Sequence, residues 1–126
     1  MRFDVQFFLH CFPALIAKIP FTLWLGLVSF AASFILAIIL AILRNSKWRL
    51  VRCLVGIYIS FFRTTPYISQ LFIFYYGLPQ LIESFQTMSS ETAFIISVAL
   101  NSSAFITEII RGGLLSVEKG QKEAAL

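Results

Sequence analysis

Three long apolar segments divide the chain, and short polar stretches separate them. The first is an uncharged run at residues 21–43, just after Pro20; the second covers residues 53–78 and the third residues 92–110. An α-helix rises about 1.5 Å per residue, so about 20 residues cross the roughly 30 Å hydrocarbon core of a bilayer. The pattern predicts an all-α fold, an integral membrane helical bundle with three transmembrane spans.

The second segment contains a charge and a proline, which are costly in a membrane helix. It includes the sequence FFRTTPYISQLFIFYYGLP, residues 61–79, with Arg63 three positions before Pro66. Proline lacks a backbone N–H and disfavours helix at the preceding residue, so we expect a kink near residues 63–66 or two half-helices. Gln70, one turn further on, either satisfies a carbonyl freed by the proline or faces a translocation path.

The depth of Arg63 allows two arrangements. In the first, Arg63 faces the protein interior and pairs with backbone carbonyls or with an acid on another helix. In the second, residues 50–62 form a cytoplasmic or interfacial helix, and the crossing starts near Pro66. We favour the interior arrangement because residues 53–62 are almost wholly apolar.

Polar side chains distinguish the third segment. Ser97, Asn101, Ala104, Glu108 and Arg111 share one face at helical spacing. Such a face is typical of helix–helix contacts in membranes, or of a polar translocation path. We expect Asn101 near mid-membrane, as a path residue or an interhelical contact. Glu108 lies near the inner end of its span, either in the path or in a local ion pair with Arg111.

Composition supports the membrane interpretation and excludes several other classes. The 126 residues are 59% hydrophobic and 13% charged, whereas soluble domains carry about 25% charged residues. The basic residues are scattered between apolar blocks, which argues against nucleic-acid binding. Cys11, Cys53 and the single His10 form no metal motif or disulfide framework. We therefore expect no metal, no cofactor and no enzymatic activity in this chain.

The charges between the apolar segments predict the orientation. Residues 44–52 contain four basic side chains and no acid, whereas residues 79–91 contain two acids and no base. The positive-inside rule places loop 44–52 in the cytoplasm and the N-terminus outside. Gly112 and Gly113 are expected to end the third helix, and the tail after them is then cytoplasmic. A multi-pass protein of the bacterial plasma (inner) membrane is predicted.

Two stretches resemble known motifs of ATP-binding-cassette importer permeases. FFRTTPYISQLFIFYYGLP is similar to a segment of polar amino-acid importer permeases, of the histidine, glutamine, arginine and cystine type. TEIIRGGLLSVEKGQKEAAL resembles the entry to their EAA loop. Thr64 stands where the family usually has glycine. The sequence reaches Leu126 before the glycine that completes the loop motif.

The resemblance implies the N-terminal part of one permease domain, with three of about five spans. It also implies that residues 116–126 begin a cytoplasmic loop that couples transport to an ATPase. By this resemblance the coupling contacts are Gly120, Glu123, Ala124 and Ala125.

The resemblance further implies several partners. These are ATP-binding-cassette ATPase subunits that bind ATP, a second permease subunit (identical or homologous), an extracytoplasmic amino-acid-binding protein and the lipid bilayer. The implied function is that of a permease subunit of an ATP-driven amino-acid importer. The alternatives are a stand-alone secondary transporter or channel subunit, and a truncated or regulatory small membrane protein without transport activity of its own.

Overall fold

The computed structural model describes residues 5–116, and all of the regular secondary structure in that range is helical. The elements follow one another as α1 (Val5–Arg44), α2 (Arg49–Thr64), α3 (Tyr67–Phe72), a π-helical turn (Ile73–Gly77), α4 (Leu78–Leu81), a 3₁₀ turn (Glu83–Phe85) and α5 (Ser90–Ser116). The predicted all-α class is confirmed.

Helix α1 begins well before the predicted first span. It starts at Val5 and passes through both Pro13 and Pro20, so the expected start just after Pro20 is wrong. The residues before Pro20 are themselves largely apolar, and each proline removes only one intrahelical hydrogen bond. At about 1.5 Å per residue, the helix is roughly 60 Å long, which exceeds the thickness of a hydrocarbon core.

The second apolar segment is a series of short helices. Helix α2 ends at Thr64, and the next two residues are extended. Thr65 has φ −93° and ψ 139°, and Pro66 has φ −60° and ψ 132°. This corresponds to the half-helix alternative rather than to one continuous span. Of the helices in the described part of the chain, α1 and α5 are each long and apolar enough to cross a bilayer.

Helix α5 is longer than the predicted third span. It runs through Gly112 and Gly113 to Ser116, so the expectation that the two glycines end the helix is wrong. Within the described residues no glycine takes a positive φ, and the Ser116 hydroxyl donates to the Gly113 carbonyl at 2.7 Å. The helix propensity of glycine is a weak preference, and the context of the helix outweighs it here.

Helices α1 and α5 pack closely because small residues line their contact. On α1 the buried small residues recur every fourth position, at Ser29, Ser33, Ala37 and Ala41. The serine hydroxyls donate to carbonyls of their own helix, Ser29 to Leu25 at 2.7 Å and Ser33 to Ser29 at 2.6 Å. Small residues at this spacing let two backbones approach closely in a membrane.

Helix α2 packs against the α1–α5 pair through an apolar cluster. Its buried members are Leu40, Val55, Ile59, Phe62 and Ala104. Elsewhere large apolar side chains point outward, with Ile42 68% and Ile109 71% exposed. Exposed apolar surface of this extent is expected where lipid, not water, surrounds the helices.

Candidate functional site

The backbone break at Thr65–Pro66 is stabilised by side chains from two helices. In a continuous helix the carbonyl of Phe62 would accept the N–H of residue 66, which proline lacks. Two side-chain amides replace that donor. Gln70 Nε2 lies 3.2 Å from the Phe62 carbonyl oxygen, and Asn101 Nδ2 lies 2.9 Å from the same oxygen. The break therefore leaves no unpaired carbonyl at Phe62, which matters where water is scarce.

Gln70 and Asn101 also bind each other, and we call this pair the amide clamp. Asn101 Nδ2 donates to Gln70 Oε1 at 3.0 Å. Gln70 is 2% exposed, and its Nε2 contacts both the carbonyl (3.1 Å) and the hydroxyl (2.6 Å) of Thr65. The Thr65 hydroxyl in turn donates to the Phe61 carbonyl at 2.7 Å. The clamp thus connects the end of α2, the start of α3 and the middle of α5.

The structure brings three of the predicted site residues together, namely Pro66, Gln70 and Asn101. Of the two roles open to Gln70, the structure shows the binding of a carbonyl freed by the proline. Of the roles open to Asn101, it shows an interhelical contact. A role of either residue in a translocation path stays a prediction.

A second polar link between α2 and α5 lies about two turns before the break. The Tyr58 hydroxyl donates to the Leu100 carbonyl at 2.9 Å and lies 2.9 Å from the Ser103 hydroxyl. Tyr58 precedes Phe62 by four residues, so both occupy the buried face of α2. A tyrosine hydroxyl on a buried helix face needs a hydrogen-bond partner. The position of Tyr58 on the same face as Phe62 could therefore have predicted this link from the sequence.

Arg63 is exposed in the described part of the chain, which does not show the favoured interior arrangement. Its guanidinium carbon lies 5.5 Å from the centroid of the Phe105 ring, a cation–π geometry. Arg63 has no hydrogen bond or ion pair with any residue the structure describes. At about 100° per residue, Arg63 lies at the edge of the buried face that Val55, Ile59 and Phe62 define, beside Phe105 of α5.

Glu108 lies beside Arg111 rather than in the amide clamp. Arg111 Nε and Nη2 both donate to Glu108 Oε2, at 3.0 and 2.8 Å. The Glu108 side chain is 19% exposed and that of Arg111 is 41% exposed, so the pair lies at the edge of the helix contact. This is the local ion pair that the spacing indicates, and a path role for Glu108 stays a prediction.

Two buried hydroxyls, Ser97 Oγ and Tyr67 Oη, face each other near the break. Neither makes a hydrogen bond of good geometry with any residue in the range 5–116. Ser97 belongs to the predicted polar face of α5 and is fully buried.

Within residues 5–116 no three His, Cys, Asp or Glu side chains lie together, so the described part of the chain offers no metal centre.

The predicted coupling residues Gly120, Glu123, Ala124 and Ala125 lie outside the described residues. Their role in contacting an ATPase stays a prediction.

Comparison with protein families gives a match over most of the chain. The family described as "Binding-protein-dependent transport system inner membrane component" matches residues 33–126. Among curated proteins, the chain is 41% identical over 123 residues to the probable amino-acid permease protein YxeN of Bacillus subtilis. That alignment covers 98% of this chain and 55% of YxeN.

Other relatives carry names of amino-acid transport systems. The arginine transport system permease protein ArtQ of Bacillus subtilis is 41% identical over 122 residues, which is 91% of this chain and 55% of ArtQ. The L-cystine permease protein TcyL of the same organism is 39% identical over 127 residues, covering 98% of this chain and 53% of TcyL. The chain therefore spans about half the length of the curated relatives that it matches.

A solved structure has the same arrangement of helices. A crystal structure of an amino acid ABC transporter with histidines superposes with a TM-score of 0.88 at 30% identity, covering 99% of this chain and 57% of the other. The resemblance to amino-acid importer permeases is confirmed, and the alternative of a truncated or regulatory small membrane protein is not favoured. The matched family consists of membrane components of transport systems, and this chain belongs to it as a binding-protein-dependent transport system inner membrane component.

Proposed function

We propose that this chain forms part of the permease subunit of an ATP-driven amino-acid importer. The observation that carries the proposal is the similarity to amino-acid permeases over nearly the whole chain, supported by the match in fold. The partners are ATPase subunits, a second permease subunit and an extracytoplasmic amino-acid-binding protein. This chain itself needs no cofactor, because ATP binds to the partner ATPase.

The proposed topology follows from charge and helix length. Helix α1 crosses the bacterial plasma membrane from an outside N-terminus to a cytoplasmic loop at residues 44–52, which is rich in basic residues. Helix α2 then enters from the cytoplasmic side, and the short helices after Pro66 complete that crossing. Helix α5 returns to the cytoplasm, which gives three passes in this part of the protein.

The break at Thr65–Pro66 gives the permease a defined point of flexibility, and the amide clamp bridges it. The break has already lost a backbone hydrogen bond, and side chains that can rotate replace it. A π-helical turn follows within two turns, at Ile73–Gly77. Such turns are frequent at functional sites. We propose that α3 moves relative to α2 during transport while Asn101 guides the motion from α5.

The substrate class is that of polar or charged amino acids. Two relatives are named for the transport of arginine and of L-cystine. Arg63 and Glu108 are the charged residues of this chain that stay candidates for the translocation path. Glu123 is the candidate for an ion pair with the ATPase, and Ala124 and Ala125 would allow close docking of the loop.

The proposal is tested by reconstituting the complete importer in vesicles. Uptake of radiolabelled arginine, histidine, glutamine and cystine is measured with and without the ATPase, ATP and binding protein. We expect uptake of at least one of these amino acids only when all three are present. In a Glu123→Arg variant, ATP hydrolysis should continue while uptake is lost. Uptake that persists without the ATPase would contradict the proposal and indicate a secondary transporter.

A further inference from the structure

Four cations lie at residues 44–52, where α1 ends and α2 begins. Two of them build the turn, and the other two have no partner among residues 5–116. Arg44 Nη1 donates to the Arg52 carbonyl at 2.8 Å, and Arg52 Nη1 donates to the Ser46 carbonyl at 2.9 Å. The side chains of Lys47 and Arg49 are exposed and make no hydrogen bond or ion pair with any residue in the described range. Arg44 and Arg52 thus hold the backbone of the turn in place, and Lys47 and Arg49 extend from it into the surroundings.

Two large apolar side chains lie next to these free cations. Trp48, between Lys47 and Arg49, is 75% exposed, and the following Leu50 is 70% exposed. Tryptophan prefers the boundary between headgroups and acyl chains, because its ring is apolar and its N–H is polar. Exposed cations beside an exposed tryptophan fit the headgroup level of a membrane.

Helix α2 continues this surface with an outward apolar row. Leu50, Leu54, Ile57 and Phe61 follow one another at helical spacing and are all exposed. They are distinct from the buried residues that pack on α1 and α5. The helix starts without a side-chain cap and without an acid in its first turn, so no negative charge of its own competes at that end.

We propose that the turn at residues 44–52 binds an anionic glycerophospholipid of the cytoplasmic leaflet. Lys47 and Arg49 bind the phosphate, Trp48 lies at the glycerol level and the Leu50–Phe61 row contacts an acyl chain. Charge complementarity decides for an anionic lipid, because four basic residues and no acid lie in this stretch. The inference rests on the proposed topology, which places the turn in the cytoplasm.

The test is native mass spectrometry of the complete permease subunit, purified in detergent and titrated with phosphatidylglycerol or phosphatidylcholine. We expect the native protein to prefer phosphatidylglycerol. A Lys47→Gln/Arg49→Gln variant should lose roughly tenfold or more of that affinity, since each cation near a headgroup contributes about 1 kcal/mol. Binding of phosphatidylcholine should not change.

Two matched variants control for total charge and for folding. Lys18→Gln removes a cation from α1, about 39 Å along the helix from Arg44, and should leave phosphatidylglycerol binding unchanged. Lys47→Arg/Arg49→Lys keeps both charges and should bind like the native protein.

The lipid proposal is overturned if the native protein shows no preference between the two lipids. It is also overturned if the double glutamine variant binds phosphatidylglycerol normally, as when a protein partner covers the turn, or if Lys18→Gln causes an equal loss. The measurement needs neither ATP nor substrate. Its failure is therefore separate from a failure of the uptake experiment.

Discussion

The α1–α5 contact and the Thr65–Pro66 break solve the same problem in different ways. In both regions, polar groups need hydrogen-bond partners from the protein, because lipid rather than water surrounds the helices. At the α1–α5 contact, small side chains bring the helices together, and the serine hydroxyls bond within their own helix. At the break, side chains from separate helices replace a missing backbone donor.

The difference implies that the two regions respond to different kinds of change. The α1–α5 contact depends on volume, because its residues are small and fully buried. The break depends on hydrogen-bonding capacity, because the amide clamp has donors and acceptors in a defined arrangement. A substitution that changes only volume should lower the free energy of unfolding mainly at the α1–α5 contact. A substitution that changes only polarity should lower it mainly at the break.

The largest effect is expected from overfilling the α1–α5 contact. Ala37 is fully buried, so Ala37→Phe forces the helices apart and should lower the free energy of unfolding by about 3 kcal/mol. Unfolding of the complete subunit by SDS in mixed micelles measures this. Ala31 lies on the exposed side of the same helix, and Ala31→Phe should be nearly neutral. Equal losses for both variants would refute the small-residue contact.

A somewhat smaller loss is expected from the amide clamp. Asn101→Leu keeps a similar volume but removes the donor to the Phe62 carbonyl and to Gln70. We expect a loss of about 1–2 kcal/mol in the same unfolding assay, together with reduced uptake in the reconstituted importer. Ser102→Ala, at the neighbouring position, should change neither. Full stability of Asn101→Leu would mean that the break does not need the clamp.

Tyr58→Phe should cost less, because only one hydroxyl is removed. The ring keeps its packing, and the Leu100 carbonyl still accepts the Ser103 hydroxyl at 2.8 Å. A loss of roughly 0.5–1 kcal/mol is expected from the same titration. Tyr76 is more than half exposed and has ring contacts, so Tyr76→Phe is the matched control and should be silent. A loss for Tyr58→Phe no larger than that for Tyr76→Phe would show that the Tyr58 hydrogen bonds contribute nothing.

The smallest effect on stability is expected at Arg63. Its exposed cation–π contact with Phe105 contributes about 0.5–1 kcal/mol, so Arg63→Gln should shift unfolding by no more than that. An interior arginine paired with carbonyls or an acid would cost several kcal/mol when removed. A loss of that size would contradict the exposed position and restore the interior arrangement.

The regular parts of the fold were predictable because they follow from local pattern. The uncharged run at residues 21–43 and the apolar run at residues 92–110 both lie within long helices, and Pro66 marks the break. Helix ends were less predictable. Helix α1 tolerates two prolines, and α5 continues through Gly112 and Gly113, because local preferences of about 1–3 kcal/mol are outweighed by context.

The amide clamp could not be derived from spacing. Gln70 and Asn101 are separated by 31 positions, so their contact depends on how α3 packs on α5. The orientation of Arg63 also depends on how the helices pack. Helix α2 has apolar residues on both its buried and its exposed faces, and its sequence alone does not show which face turns inward. Tertiary packing decided both.

A double-mutant cycle between Gln70→Leu and Asn101→Leu tests most directly that the two amides act together to hold the break. The free energy of unfolding of the complete subunit is measured for the native protein, both single variants and the double variant. The amide clamp predicts a coupling energy of about 1 kcal/mol, while the control cycle of Gln70→Leu with Ser102→Ala gives none. Additive losses in the Gln70–Asn101 cycle would contradict the clamp.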